Sequence, residues 1–543
     1  MSQDLETSPQ GTSVRANSST AVVVSLLVSL AMPPCSVSMV FSVEPIKAPQ
    51  RWQKRSHTYD EALELVGFGR AQIFLVMLSG FSIMASINEA MGLSIILPAS
   101  QCDLGLDPGE KGMIGGAIFL GIMASSYFWG YQADTRGRQV VLKYALIVTS
   151  ICSFASSFAN DFASLMVLRF ITGLCIAAPA ATIYAYLGEF CTPSRRVQLI
   201  SYASVMPSVG IIYVALVGWL TLSYDWSFAI TDSITYKPWR LLFILYTIPG
   251  LLAGITFFFF PESPKFLLSK GREDEAITVL RWLYRINHGA GSEGNYKVEA
   301  LRTEADEVKL EIGSGLMGVL KSMRDQTVPL LKLPYLKYFF VCCVHSASAF
   351  TIYGGLGLWF PQIMNQISSS PSDGTEICSV LQQPAPVDSP FPVICESSVQ
   401  QETFIYTAML GAFGATYCIT LSLILRRFRG STMMVFNMVV AGVAGILLQF
   451  FTNSYLVAVL FCVEIMFAGI CVMLVNARAV SLFPTHVRGM AVSLVNMVGR
   501  LSCFTASAVI GLLMSQNCPL TFYFLSGMLF ISAAVTFLLP QEE

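Results

Sequence analysis

Twelve stretches of this chain are apolar for about the length that crosses a bilayer, and polar residues gather in the connections between them. A membrane helix needs about 20 apolar residues. Runs of that kind lie at roughly 71–97, 112–131, 140–159, 163–187, 199–222, 240–260, 337–361, 403–425, 432–452, 455–475, 489–513 and 519–539. Most connections are short, but 261–336 and 362–402 are long. The pattern predicts an all-α membrane protein in four parts: an N-terminal extension, 1–70, expected to be mostly disordered; a six-helix bundle, 71–260; a linker with short helices, 261–336; and a second six-helix bundle, 337–540, carrying the loop 362–402.

The positive charges sort by side, as they do when cytoplasmic connections retain Lys and Arg. The 261–336 linker holds eleven, from Lys265 to Lys332. Arg136 and Arg138, Arg195 and Arg196, Arg426, Arg427 and Arg429, and Arg488 fall in alternate connections on the same side, and Arg51, Lys54, Arg55 and Arg70 precede the first span. The opposite connections carry Lys111 and Lys237. Both termini and the linker are therefore expected in the cytoplasm, in a plasma or vesicle membrane. Only 12% of the residues are charged, against roughly 25% in a soluble domain, so a multi-pass membrane protein follows from composition too. The net charge of -1 indicates no partner. The run 21–31, closed by Pro33-Pro34, is too short to span. It has the look of a signal-peptide core and is read as a disordered or interfacial extension. In the linker, Ala276, Ile277, Leu280, Leu283 and Tyr284 follow helical spacing, and a second helix is expected over about 296–312.

Four short motifs fall at meaningful places in this frame. They are Gly130-Tyr-Gln-Ala-Asp134-Thr-Arg136-Gly137-Arg138 between the second and third spans, Arg169-Phe-Ile-Thr-Gly173 in the fourth, Pro261-Glu262-Ser263-Pro264-Lys265 closing the sixth, and Phe483-Pro484-Thr485-His-Val-Arg488-Gly489 between the tenth and eleventh. Together they resemble the signatures of major facilitator transporters, including the P-E-S-P-R of sugar porters. The resemblance implies the major facilitator fold, with twelve transmembrane helices in two six-helix bundles. A narrower resemblance, to the synaptic vesicle glycoprotein 2 family, rests on Thr58-Tyr59-Asp60-Glu-Ala62, Gly67-Phe-Gly69-Arg70, Lys111-Gly-Met113, Gly188-Glu189-Phe190 and Tyr353-Gly-Gly355-Leu-Gly-Leu-Trp359-Phe360-Pro361. The chain departs from that family in several places. Ser86-Ile87 stands where the family pattern has Asp-Gly, Asn476 where it has an Asp, and Thr135 where it has an Arg. The mirror turn at 425–430 has no acid, and the 362–402 loop is short and has no Asn-x-Ser/Thr sequon.

An ionisable group at membrane depth is costly, so it faces a cavity or a partner. Glu89 in the first span is the first candidate for substrate binding or coupling, and Glu464 in the tenth is read as structural. Tyr184, Tyr213, His345, Tyr353, Trp359, Asn437 and Asn476 are further binding candidates, because they lie on helices that line the cavity in the fold the resemblance implies. Each also has a plain packing reading, and His345 is the one histidine inside a span. Asp134, Arg138, Arg169, Glu189, Arg195 and Arg488 are expected to form and break ion pairs on the cytoplasmic side and so to gate the molecule.

Most of the 14 cysteines lie within spans, where they pack as small apolar groups. Cys378 and Cys395 share the loop facing an oxidising space and are the first candidates for a disulfide, with Cys102 and Cys518 as competing partners. No catalytic, metal-binding or phosphate-loop motif is present, so no enzyme activity, cofactor or metal is expected, and any transport is secondary rather than ATP-driven. The expected function is transport of a small polar organic solute, sugar-like or an organic ion, by a monomer in a lipid bilayer, with no nucleic acid as partner. The alternative is a vesicle membrane protein that transports little and acts through protein partners on its cytoplasmic side.

Overall fold

The computed structural model describes residues 56–540 apart from 232–233, 290, 303–320, 322–323, 326, 334, 370–376, 382–398 and 425–426. The apolar run 21–31 and part of the mirror turn at 425–430 therefore lie outside the described residues. Among those described, 12 helices are long and apolar enough to cross a membrane. They are α1 (Arg70–Leu104), α2 (Pro108–Arg136), α3 (Arg138–Ser156), α4 (Phe162–Glu189), α5 (Pro193–Leu222), α6 (Pro238–Thr256), α7 (Tyr335–Ser369), α8 (Gln401–Leu421), α9 (Gly430–Leu447), α10 (Ser454–Leu482), α11 (Val487–Met514) and α12 (Cys518–Leu538).

Local chemistry sets the helix ends. Asp107 accepts the Glu110 N–H at 2.7 Å while the Glu110 carboxylate takes the Asp107 N–H at 3.1 Å. With Pro108 in the first turn, this capping box starts α2. The same helix stops at Gly137, whose φ of 108° few side chains tolerate, and α3 begins at the next residue. Two long helices are not regular. α1 breaks at Gly92, where a Cβ would collide with the Tyr246 ring of α6. α7 passes through a π-helical turn at Thr351–Leu356, a feature common at functional sites.

Small residues allow the backbones to approach, the usual device for helix association in a bilayer. In the first bundle, Gly121 of α2 and Gly173 of α4 face one another's helices. A Cβ on Gly173 would run into the Ile118 backbone, and one on Gly121 into the Phe170 carbonyl. The glycine of the Arg169–Gly173 motif is thus a packing residue. Between the bundles, Gly112 and Gly116 of α2 abut Ser507 and Phe504 of α11, and Gly411 of α8 abuts Ser208 and Ile212 of α5. The Ser507 hydroxyl donates to the Gly112 carbonyl at 3.1 Å. Lys111 donates to Gln101 at 2.9 Å and to Gln362 of α7 at 3.3 Å. The α2–α11 contacts and Lys111 clasp the two bundles in the half of the molecule away from the linker, and the α8–α5 contact lies at mid-length of its helices.

Two expectations need correction, one in the linker and one in the disulfide. Of the N-terminal extension, the described residues from 56 on are ordered, and residues 1–55 lie outside the described residues. Strand β1 (Ser56–Thr58) leads into a helix at Tyr59–Val66 that buries Tyr59, Ala62, Leu63 and Val66. The linker helix Glu273–His288 forms as expected, and the Tyr296 hydroxyl donates to the Ala62 carbonyl at 2.9 Å beside it. The second linker helix does not begin at 296. After a short hairpin, β2 (Phe228–Thr231) and β3 (Ile234–Tyr236), the next strand is β4 (Ala300–Arg302), which pairs in parallel with β1. That partner supplies the hydrogen bonds a helix would otherwise make, and 303–312 lies outside the described residues. Finally, Cys378 bonds to Cys518 and not to Cys395, which lies outside the described residues. The short helix Ile377–Leu381 packs on the start of α12, leaving the two Cα atoms 5.4 Å apart, a normal disulfide span. Cys102 is disulfide-bonded as well.

Two outcomes test this packing. Gly173→Ala places a methyl against backbone that has no rotamer to swing away, so it should destabilise by about 1–3 kcal/mol. Thermal unfolding in detergent reads this, and an unchanged midpoint would refute the close approach. Non-reducing proteolysis with mass spectrometry should recover a Cys378–Cys518 cross-linked peptide that reduction separates.

Candidate functional site

The motif residues of the first bundle meet at its linker-side end. Arg138, at the start of α3, pairs with Glu189 at the end of α4, and its guanidinium lies 3.6 Å from Asp134. The Ser263 hydroxyl also donates to Glu189. Glu262 accepts the backbone N–H groups of Arg138 at 3.0 Å and Gln139 at 3.1 Å, a carboxylate on a helix N-terminus where the dipole favours it. One knot therefore joins the turn after α2, the end of α4 and the Pro261–Lys265 motif. The Tyr59 hydroxyl donates to the Glu189 carbonyl. Burial, and then the Glu189 charge, holds that phenol well above its ordinary pKa.

The other residues expected in this cluster are elsewhere. Arg195 lies over the Phe68 ring, 4.8 Å from its centre; its neighbour Arg196 faces an acid, Asp60, at 3.9 Å. Arg488 donates to the Phe483 carbonyl at 3.3 Å. Arg169 is a correction to the expected grouping. It sits one to two turns from the opposite end of α4, fully buried, and pairs with Glu89 at 3.0 Å. Ser153 donates to the same Glu89 oxygen, and Arg169 also donates to Ser156. The second Glu89 oxygen and the Arg169 Nε have no partner.

Between the bundles, beyond the clasp, lies a cavity of about 260 Å³. Helices α1, α4 and α5 line it from one bundle and α7, α8, α10 and α11 from the other. Two of the sequence candidates reach it, Tyr184 and Tyr353, one from each bundle. Tyr353 stands on the π-helical turn of α7. Ser86 and Ile87 line it too, at the place where the family pattern has Asp-Gly. The remaining wall is largely apolar, with Phe350, Met466 and Met473 among its residues.

The other candidates are partnered away from the cavity. The Tyr213 hydroxyl donates to the Leu245 carbonyl at 2.7 Å, and the Trp359 indole to the Ser507 carbonyl at 2.8 Å. His345 has one ring nitrogen 2.9 Å from the Val341 carbonyl and the other 2.8 Å from the Thr536 hydroxyl. Asn437 accepts from the Tyr417 hydroxyl, and Asn476 accepts from the Asn496 amide at 2.9 Å. Glu464 is fully buried beside Gly445 and Ser526, with neither carboxylate oxygen partnered.

One wall residue escaped the sequence reading. Arg500 of α11 lines the cavity, and its Nη1 donates to the Ser126 hydroxyl of α2 at 2.6 Å. It belongs to none of the motifs. The rule that singled out Glu89 and Glu464, an ionisable residue inside a span, also applies to Arg500.

Comparison with known proteins agrees with this architecture. The model of the Major Facilitator Superfamily matches residues 73–507. Synaptic vesicle glycoprotein 2B of Mus musculus is 27% identical over 327 residues, 58% of this chain and 48% of that protein. The chain thus spans about half the length of the curated relatives it matches. The xylose transporter XylE from E. coli is similar in structure in two states. Its partially occluded inward open form gives a TM-score of 0.60 at 13% identity over 89% of this chain and 100% of that one. Its inward open form gives 0.61 at 13% identity over 86% and 96%. With the family match running from the first span into the eleventh, and the two bundles built as the fold requires, the chain belongs to the Major Facilitator Superfamily.

Proposed function

We propose that this protein is a secondary transporter that moves a small polar organic solute by alternating access. One observation carries the reading: a cavity of about 260 Å³ walled by helices of both bundles, with close glycine contacts of α2 on α11 toward the helix ends away from the linker. A solute there would touch both halves, so rocking one bundle against the other would exchange the open side around a fixed site. The knot around Arg138 and Glu189 lies within the first bundle and keeps that bundle rigid as it moves. The disulfides at Cys102, Cys378 and Cys518 lie on the face opposite the linker. They support an oxidising space there and a cytoplasmic linker, as the charge bias predicts. The names of the structural neighbours include a D-xylose-proton symporter, and proton coupling is the mode we infer here.

Glu89 is the coupling residue in this reading. Its carboxylate is buried, shared between Arg169 and Ser153, and has one oxygen free to take a proton. A buried ion pair is weak evidence for stability but a reasonable switch.

Protein reconstituted in liposomes should show saturable uptake of at least one solute from a panel of sugars and organic ions, accelerated by an imposed pH gradient. No saturable uptake across the panel would overturn the transporter reading and favour a protein acting through partners. Glu89→Gln should abolish acceleration by the gradient while leaving solute exchange at equilibrium intact. Gradient-driven uptake that survives this change would remove Glu89 from the coupling role. Glu89→Leu strands the Arg169 charge and should cost about 3–5 kcal/mol of stability, partly restored by adding Arg169→Leu. Thermal unfolding of the three variants measures this.

A further inference from the structure

We infer that the solute is a small organic monoanion, a carboxylate on a compact apolar or aromatic body, and that Arg500 is the residue that binds its charge. The inference rests on the transport reading above and narrows it. Among the described residues that line the cavity, Arg500 is the one charged side chain. No carboxylate pairs with it among the described residues, and its hydrogen bond is to a neutral hydroxyl, Ser126, at 2.6 Å. A guanidinium at membrane depth is expensive unless an opposite charge or a dipole compensates it. Two other buried arginines of the spans are supplied. Arg169 has Glu89 at 3.0 Å. Arg240 donates to the Ser157 and Ala159 carbonyls at 2.9 and 2.6 Å and to Asn160 at 3.1 Å. Arg500 has one hydroxyl and a space in front of it.

That space is built to take an anion. A guanidinium offers five N–H donors in a planar fork that matches a carboxylate, and the one protein hydrogen bond uses Nη1. Ser86, on the facing bundle, lines the same cavity with a buried hydroxyl that has no hydrogen-bond partner, a second donor for an anionic oxygen. Tyr184 and Tyr353 add phenol groups, and Phe350, Met466 and Met473 supply surface for an apolar body. With one cation and no second Lys, Arg or His in the wall, a dianion would keep an uncompensated charge, and a cation would be repelled. A sugar would leave the guanidinium charge unmatched. Arg500 belongs to one bundle and Ser126 to the other, so an anion on Arg500 would sit beside a bridge between the bundles and compete with it for the guanidinium. Binding and release of that bridge are thereby linked.

The test uses the full-length protein in liposomes and in nanodiscs. Benzoate, phenylacetate and cyclohexanecarboxylate are compared with their carboxamides, with xylose and with tetraethylammonium, by competition for uptake and by thermal shift. The expected result is saturable uptake of at least one carboxylate, at least ten-fold weaker binding of its amide, and collapse of that difference in Arg500→Gln. Arg500→Lys should retain part of it. If Arg500→Gln fails to fold, the comparison of acid and amide on the unaltered protein still decides. Saturable uptake of xylose or tetraethylammonium without competition by any carboxylate would overturn the anion assignment and leave the transporter reading standing. Uptake of no solute at all would overturn both.

Discussion

A charge inside a membrane-spanning bundle has to be answered by another charge or by fixed dipoles, and that constraint orders most of this molecule. Arg169 is answered by Glu89 and two serine hydroxyls. Arg240 is answered by the carbonyls that end α3 and by the Trp239 ring, 4.3 Å away. Arg138 is answered by Glu189 and Asp134 where the first bundle meets its polar surface. Each pairing joins two or more segments of the first bundle. The second bundle is held differently, by paired amides, by His345 between α7 and the last turn of α12, and by aromatic stacking such as Tyr417 on Phe467 at 4.2 Å. The asymmetry matches the loss of the acid from the mirror turn at 425–430.

Backbone proximity is the complementary constraint. Glycines at 112, 116 and 411 let α2 meet α11 and α5 meet α8 closely, Gly112 against the Ser507 backbone, Gly116 against the Ser507 and Phe504 side chains, and Gly411 against the Ser208 carbonyl and Ile212. In lipid, where hydrocarbon surrounds the helices, such contacts gain from van der Waals packing and from polar groups bridging the seam. Ser507 and Lys111 supply those bridges. Among the described residues, this seam is made of small residues and a few hydrogen bonds and contains no ion pair between the bundles.

Much of this was legible in the sequence. Apolar length alone locates all twelve helices among the described residues, because a run of about 20 apolar residues satisfies its own backbone in a bilayer only as a helix. The motifs located the knot at Asp134, Arg138 and Glu189. What failed had physical reasons. Loop membership points Cys378 to Cys395, but a disulfide depends on Cα proximity, and the fold brings Cys518 to it. The composition near 300 predicts helix, yet the conformation there is fixed by a partner strand some 240 residues earlier in the chain. The gate expectation puts Arg169 on the cytoplasmic side, although its depth along α4 places it beside Glu89. Tyr213, Asn437 and Asn476 are candidates by the helix that carries them. Which face of that helix each occupies is settled by tertiary contacts, and there they meet carbonyls and amides.

The division between motif and cavity bears on what relatives can teach. Asp134, Arg138, Glu189 and Gly173 are spent on joining helices, and none of them lines the cavity. The wall is made by Ser86, Tyr184, Tyr353 and Arg500, of which Tyr353 alone falls in a stretch that carried a family resemblance. Two chains can therefore share every motif, move in the same way and carry solutes of opposite charge. The serine at position 86 and the arginine at position 500 make the point within one protein. The first lacks a charge where the family pattern has an acid, and the second is a cation with no acid beside it. A cavity with a cation in its wall and no acid among its described lining residues favours a ligand of negative charge, a constraint that the fold alone does not impose.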